Sequence, residues 1–298
     1  MCGIVGLFLK DKSLEPKLGQ MLTEMLVTMT DRGPDSAGIA IYGSDADGHS
    51  KLTIQSDNAD QDFATLAQDL GAAIGTDVTL NRRDTHAVVE LAADKVTAAR
   101  QALRELRSDL RIMSDGDVIE IYKEVGLPKD VADRFDVTSM GGTHGIGHTR
   151  MATESAVTTE GAHPFSTAAD QCLVHNGSLS NHNSLRRKLK REGVRIESEN
   201  DTEVGAAYLT WKMQNGSSLG EALESSLKDL DGFFTFVVGT KDGFGVVRDP
   251  IACKPAVMAE TDQYVAFGSE YRALVNLPGI EDAKVWEPEP ATVYFWNH

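Results

Sequence analysis

Met1-Cys2-Gly3-Ile4-Val5-Gly6-Leu7-Phe8 decides the reading of this chain. Removal of the initiator methionine would leave Cys2 carrying a thiol and a free α-amine on one residue. An α-amine titrates near ~7.7–8.0 and a thiol near ~8.5, so the amine can take the thiol proton near neutral pH. The apolar run from Ile4 to Leu9 has the character of a buried strand, which would fix this terminus inside a core. The same condition limits the chemistry: if Met1 stays, the Cys2 nitrogen is an amide and cannot act as a base.

Outward from this strand, Leu14, Leu18, Met21, Leu22, Met25, Leu26 and Met29 recur at helical spacing and form a core-facing stripe. The helix stops before Asp31-Arg32-Gly33-Pro34-Asp35-Ser36, where Gly33-Pro34 signals a turn. Ala37 to Tyr42 then reads as an apolar strand.

Residues 44–140 are more polar and acidic. Their pattern predicts strand (51–55), helix (60–72), strand (76–81), strand (85–91), helix (94–107) and strand (109–113), with a further strand at 117–122. A β-α-β-β-α-β order is the ferredoxin-like arrangement. The segment is therefore expected to be an inserted α/β subdomain with an interaction or regulatory role, since it holds no dense cluster of catalytic residue types.

Chemistry-bearing residues return in Gly142-Thr143-His144-Gly145-Ile146-Gly147-His148-Thr149-Arg150-Met151-Ala152-Thr153-Glu154, where glycines permit close backbone approach. Ala162-His163-Pro164-Phe165 follows, then a short strand running into His175-Asn176-Gly177. A helix from Asn181 carries Arg186, Arg187, Lys188, Lys190 and Arg191, a solvated face or a docking surface. Asn200-Asp201-Thr202-Glu203 opens another helix with Asp201 as its expected N-cap. A helix at about 219–230 and strands at 233–239, 243–247, 256–260, 264–268 and 291–296 complete an α+β pattern of hairpins covered by helices. Cys172 and Cys253 lie in apolar stretches and read as core residues.

The 298 residues are 41% hydrophobic and 25% charged, enough to bury a full core in a globular protein. A net charge of −16 argues against nucleic acid or an anionic membrane as the main partner. Three scattered cysteines fit a reducing cytoplasm and not a disulfide framework. No CxxC or HExxH spacing points to a metal. The N-terminus lacks signal-peptide character, and no apolar run is long enough to span a bilayer. The expected localisation is cytoplasmic.

Five motifs, Met1 to Gly6, Arg32 to Ser36, Gly147 to Arg150, His175 to Gly177 and Asn200 to Glu203, occur in the order seen in class II glutamine amidotransferases, which the chain resembles. One such motif is weak evidence; five in order are specific. They cover residues 1–43 and about 143–275. The resemblance implies a four-layer αββα N-terminal-nucleophile hydrolase fold, interrupted by the insert. The stretches His144 to Ser155 and Leu230 to Gly239 resemble more narrowly the stand-alone glutaminase-type subunits of glutamate-synthase-like systems. Those are the GlxB-like proteins and the A subunit of N-methylglutamate synthase (methylamine–glutamate N-methyltransferase).

What the resemblance implies for single residues has a physical rationale. Cys2 would attack the side-chain amide of glutamine, and the Asn176 side chain with the Gly177 N–H would hold the oxyanion. Arg150 would bind the α-carboxylate through its planar fork, with Thr153 adding a contact. Asp201 would hold the α-ammonium, and Arg32 would brace the turn that carries the nucleophile. The ammonia needs a receiver, since no acceptor domain follows in this chain. The resemblance implies a synthase subunit holding FMN and an iron–sulfur cluster, plus a GXGXG-type subunit, with no cofactor in this chain itself. The insert and the basic helix at 185–195 are candidate docking surfaces.

Two positions depart from the family pattern: Met151 replaces a Trp or Tyr, and Glu154 replaces a His. These departures and the insert leave a second reading, a regulatory or binding subunit with weak or silent glutaminase. A hydrolase of another amide is a third, against which Arg150 and Asp201 point to an amino-acid substrate. His163, in a His-Pro element like the family's, receives no role.

Overall fold

A computed structural model describes residues 2–44, 48–152 and 156–298. Strand Gly3–Leu9, with all seven residues buried, lies inside a seven-stranded antiparallel sheet. It pairs on one side with His144–Arg150, Gly3 opposite Thr149, and on the other with Tyr264–Gly268, Val5 opposite Gly268. Ser36–Tyr42 and Ile119–Val125 extend the sheet beyond His144–Arg150; Val257–Glu260 and Lys284–Trp286 extend it past Tyr264–Gly268.

A second sheet of five antiparallel strands runs in the order Thr292–Asn297, Gly243–Arg248, Gly232–Thr240, Gln171–Leu179, Phe165–Ala168. Three clusters of buried side chains separate the layers. Leu22, Met25 and Leu26 of helix Leu18–Val27 pack on the outer face of the first sheet with Val5 and Leu7. Ile4, Phe8, Ile146, Val174, Val237 and Phe244 fill the space between the sheets. Leu185, Tyr208 and Leu223, from helices His182–Arg191, Asp201–Gln214 and Leu219–Asp229, cover the outer face of the second. This is the four-layer αββα fold.

The glycine-rich stretch from 142 carries no hydrophobic alternation, yet His144–Arg150 is a fully buried central strand. Its glycines let the covering helix come close. A Cβ at Gly145 would stand 2.7 Å from Leu22 Cδ2, and one at Gly147 would stand 2.9 Å from Val5 Cγ2 and 3.3 Å from Leu26. The leucine side chains fill the room that a side chain on the strand would take.

A third sheet has four antiparallel strands in the order Thr79–Arg83, His86–Ala92, His49–Gln55, Arg111–Gly116. With helices Leu66–Ile74 and Val96–Leu106 it forms its own core around Leu52, Ile54, Leu70, Val89 and Leu103. The connectivity and strand order are ferredoxin-like. The inserted segment does not run to 140 as the composition implied. Ile119–Val125 pairs with Ser36–Tyr42, and helix Pro128–Arg134 packs against Leu18–Val27. Its alternation explains why: Ile119 and Ile121 point between the sheets, while Tyr122 points into the helix layer. Two further expectations change. Cys172 is buried, but Cys253 is exposed and is no core residue. In the basic helix, Arg186 turns inward to pair with Glu199 and to reach the Asn200 carbonyl at 3.3 Å, so only part of that face is free for docking.

Candidate active site

Cys2 stands at the head of the central strand, partly exposed where the seven residues after it are buried. Its carbonyl oxygen accepts from Arg32 Nε at 2.9 Å and from Asn176 Nδ2 at 3.2 Å. Arg32 is buried and extends its Nη1 to Glu270 Oε1 at 2.5 Å; that hydrogen bond leads the causes that hold the Glu270 carboxyl below its usual range. One residue further, Ser269 closes a pair with Ile4. The Ile4 N–H donates to Ser269 Oγ and the Ser269 N–H donates to the Ile4 carbonyl, both at 2.9 Å. The start of the chain is thus held by a turn, by the second sheet and by the segment after Tyr264–Gly268.

Gly177 continues the strand from Asn176 with φ +148°. A Cβ there would stand 1.9 Å from the Phe233 carbonyl oxygen and 2.9 Å from His175 Nε2, so only glycine fits. The Cys2 sulfur lies 3.9 Å from the Met151 carbonyl oxygen.

Arg150 ends the strand that pairs with Gly3–Leu9, one step beyond the Gly3–Thr149 register, so it faces the Cys2 end of the sheet. It is 6% exposed, and its Nη1 donates to the Ala156 carbonyl at 3.2 Å. Asp35 fixes the chain around it: the Asp35 N–H donates to the Arg150 carbonyl at 3.1 Å, and Asp35 Oδ2 accepts from the Ala152 N–H at 2.8 Å. Asp35 belongs to the Arg32–Ser36 motif, yet its sequence context does not distinguish this bracing role from that of a turn residue. Thr153 and Glu154 lie outside the described residues.

Asp201 is not the N-cap expected of it. Asn200, with extended backbone, caps the helix by accepting from the Thr202 N–H at 2.9 Å. Asp201 is instead turned toward the second sheet, where its Oδ2 accepts from the Leu179 N–H at 2.9 Å and its Oδ1 lies 3.7 Å from His175 Nδ1. Burial works to raise its carboxyl, but the His175 imidazole, the Leu179 N–H and the charge of His182 together bring it down to about 2. It is a carboxylate at any ordinary pH.

Behind these groups runs a buried set of histidines. His148 Nε2 pairs with the His175 carbonyl at 3.2 Å, and its ring stacks on that of His163 at 4.0 Å. His163 Nε2 and His175 Nδ1 both meet Thr202 Oγ1 at 3.1 Å. Burial lowers His148 to about 3 and His163 well below its ordinary value, so both are neutral. Lys123, missed in the sequence because it sits in an ordinary alternating strand, is buried against three carbonyls, those of Ala162 (2.8 Å), Pro164 (3.2 Å) and Glu160 (3.3 Å). Burial brings its ammonium down to about 8.

Two stretches of the chain, residues 1–75 and 148–276, each match a glutamine amidotransferase domain. The glutamine amidotransferase-like protein GlxB of Rhizobium meliloti (strain 1021) is 71% identical over 298 residues, covering 100% of this chain and 99% of that protein. The chain belongs to the class II glutamine amidotransferase family. The amidophosphoribosyltransferase of Methanocaldococcus jannaschii is 34% identical over 167 residues, 55% of this chain and 36% of its own length. In fold, this amidotransferase-family chain is similar to the solved glutamine phosphoribosylpyrophosphate amidotransferase from B. subtilis, with a TM-score of 0.64 at 19% identity. The match covers 99% of this chain and 47% of that one. Every element that carries Cys2, Arg32, Arg150 and Asn176 lies in the four layers, outside the ferredoxin-like unit.

Proposed function

We propose that the chain is a glutaminase subunit that uses Cys2, freed of Met1, as its nucleophile. The observation that carries this reading is the clamp on Cys2: its carbonyl is held by Arg32 and Asn176 at the head of a buried strand. The thiolate adds to the side-chain amide carbon of glutamine, and the thiol proton passes to the α-amine, directly or through water. The C–N bond then breaks, ammonia leaves with that proton, and a γ-glutamyl thioester remains. Water adds to the thioester, glutamate departs, and the thiol is regenerated.

Both steps pass through an oxyanion. A carboxamide NH₂ has two hydrogens; Asn176 spends one on Cys2 and has a second for this oxygen, beside the Gly177 N–H. Losing one such donor typically costs about 10²–10³ in rate. Arg150 takes the α-carboxylate of glutamine and Asp201 the α-ammonium, with Thr153 as a further contact. Arg32 orients the nucleophile without touching substrate.

The ammonia serves a glutamate-synthase-like complex such as N-methylglutamate synthase, with a subunit that carries FMN and an iron–sulfur cluster and a GXGXG-type subunit as partners. The similarity to GlxB over the full length supports a subunit of that type. The three cysteines are unpaired, which fits a cytoplasmic setting. Among the described residues, no helix is long and apolar enough to cross a membrane.

The test is ammonia release from glutamine by the chain alone and with its partner subunits, in wild type and Cys2→Ala, with the N-terminal mass measured in parallel. Wild type should release ammonia with Met1 absent, and Cys2→Ala should release none above background. Activity that survives Cys2→Ala sinks the mechanism. No turnover even in the full complex would favour the regulatory subunit.

A further inference from the structure

A cavity of about 560 Å³ opens between the ferredoxin-like unit and the four-layer body. One wall is helix Val96–Leu106 with strand Arg111–Gly116; the other is strand Phe165–Ala168 with residues 195–198 and Glu203. Its volume is that of a small-ligand pocket, and junctions between structural units are where such pockets concentrate.

Carboxylates and cations both line it, and most of them are committed to one another or to the backbone. Arg111 pairs with Asp57, Asp62 accepts from Ser56 and Lys123 turns to carbonyls, while Asp109 and Glu160 also line the wall. Arg100 and Arg104 are four apart on one helix, so their guanidiniums share a face, an arrangement that costs stability between like charges. Arg195 adds a third guanidinium from the opposite wall. Arg100 is paired with Asp115 at 2.7 Å, and Arg195 gives its Nε to Glu197 and leaves its two terminal nitrogens. Arg104 makes no hydrogen bond or ion pair among the described residues. The nearby carboxylate of Glu203 does not serve it, because it accepts from the Glu197 and Ser198 N–H groups and from Ser198 Oγ. Desolvation, then the charges of Arg195 and Arg100, lower the Arg104 guanidinium from its ordinary value, with the Glu197 carboxylate opposing them in part. Arg104 and the terminal nitrogens of Arg195 are the donors left open among these charges, and beside the apolar surface of Leu103 and Phe165 they match a small molecule with a charged oxygen group and a short carbon body.

We propose that this cavity is a binding site for a small oxyanion-bearing metabolite, a carboxylate or a phosphate, gripped by Arg104 and Arg195. The occupant would stand beside Glu203, which anchors residues 197 and 198 to the helix that begins at Asp201. The site is independent of the glutaminase reading, since neither arginine contacts Cys2, Asn176 or Arg150.

Isothermal titration of the full chain with inorganic phosphate and, separately, with succinate tests it. At least one probe should bind saturably, and which one binds names the anion. Arg104→Gln and Arg195→Gln should each weaken that binding about tenfold or more, the cost of a charge-assisted pair. Arg104→Lys should restore it in part, and Cys2→Ala should leave it unchanged. Since Arg104 is exposed, Arg104→Gln should unfold no earlier than the parent protein. The proposal fails if neither probe binds saturably, if Arg104→Gln binds as the parent does, or if Arg104→Gln lowers the unfolding midpoint and so proves structural.

Discussion

Gly177 joins two demands at one residue. Its backbone lies at φ +148°, and a Cβ would enter the Phe233 carbonyl and crowd His175. Gly177→Ala should therefore lose about 1–3 kcal/mol from strain alone, and ammonia release should fall further than stability does, because the strand must shift where Asn176 meets Cys2. Comparing the denaturation midpoint with the glutaminase rate separates the two effects; an alanine variant with unchanged rate would show that the backbone here has freedom the structure denies. The residues flanking this site were legible in the sequence as motif members, and Cys2, Arg32 and Asn176 do meet. Their support was not. Glu270, Asp35 and Lys123 are charges at ordinary positions, and only their partners, distant in sequence, distinguish them from surface residues. Asp201 shows the same limit. An acidic residue before a helix suits a cap, but the extended backbone of Asn200 takes that place and turns Asp201 toward His175.

Helix Leu18–Val27 and strand His144–Arg150 form one packed unit in which leucines fill what glycines leave open. Leu22→Ala should cost about 2–5 kcal/mol, as for other fully buried leucines. Gly145→Ala should cost about 1–3 kcal/mol by overpacking. Combining the two should cost less than the sum, because the smaller side chain at 22 makes room at 145. Urea denaturation of the three variants checks this, and strict additivity would mean that the two residues do not contact. The helix was legible from its apolar stripe, and so was the order of elements in the insert, since both rest on local periodicity. The strand was not, because two glycines erase the alternation that marks a strand. The end of the insert was missed for a related reason. Polar composition continues through Glu124, and only pairing with Ser36–Tyr42 assigns Ile119–Val125 to the first sheet.

At the scale of the molecule, burial leaves His86, His144 and His148 with values near 3. In the unfolded chain each takes a proton near ~6.5. Between these limits the unfolded state binds more protons, so stability is greatest above about pH 6.5 and is lost as pH falls toward 3. Three such groups imply a slope of up to about 4 kcal/mol per pH unit. Denaturant midpoints at pH 7, 6 and 5 measure it, and a flat profile would show that these imidazoles stay accessible to protons in the native state. A further consequence concerns the order of synthesis. Strand Gly3–Leu9 leaves the ribosome before both of its neighbours, residues 144–150 and 264–268, and before its serine clamp, residue 269. It must therefore wait for its place, because loops of more than a hundred residues close around it. Nascent chains halted before residue 264 would carry the cysteine on a strand with one edge unpaired and no serine clamp, a thiol not yet fixed in its site.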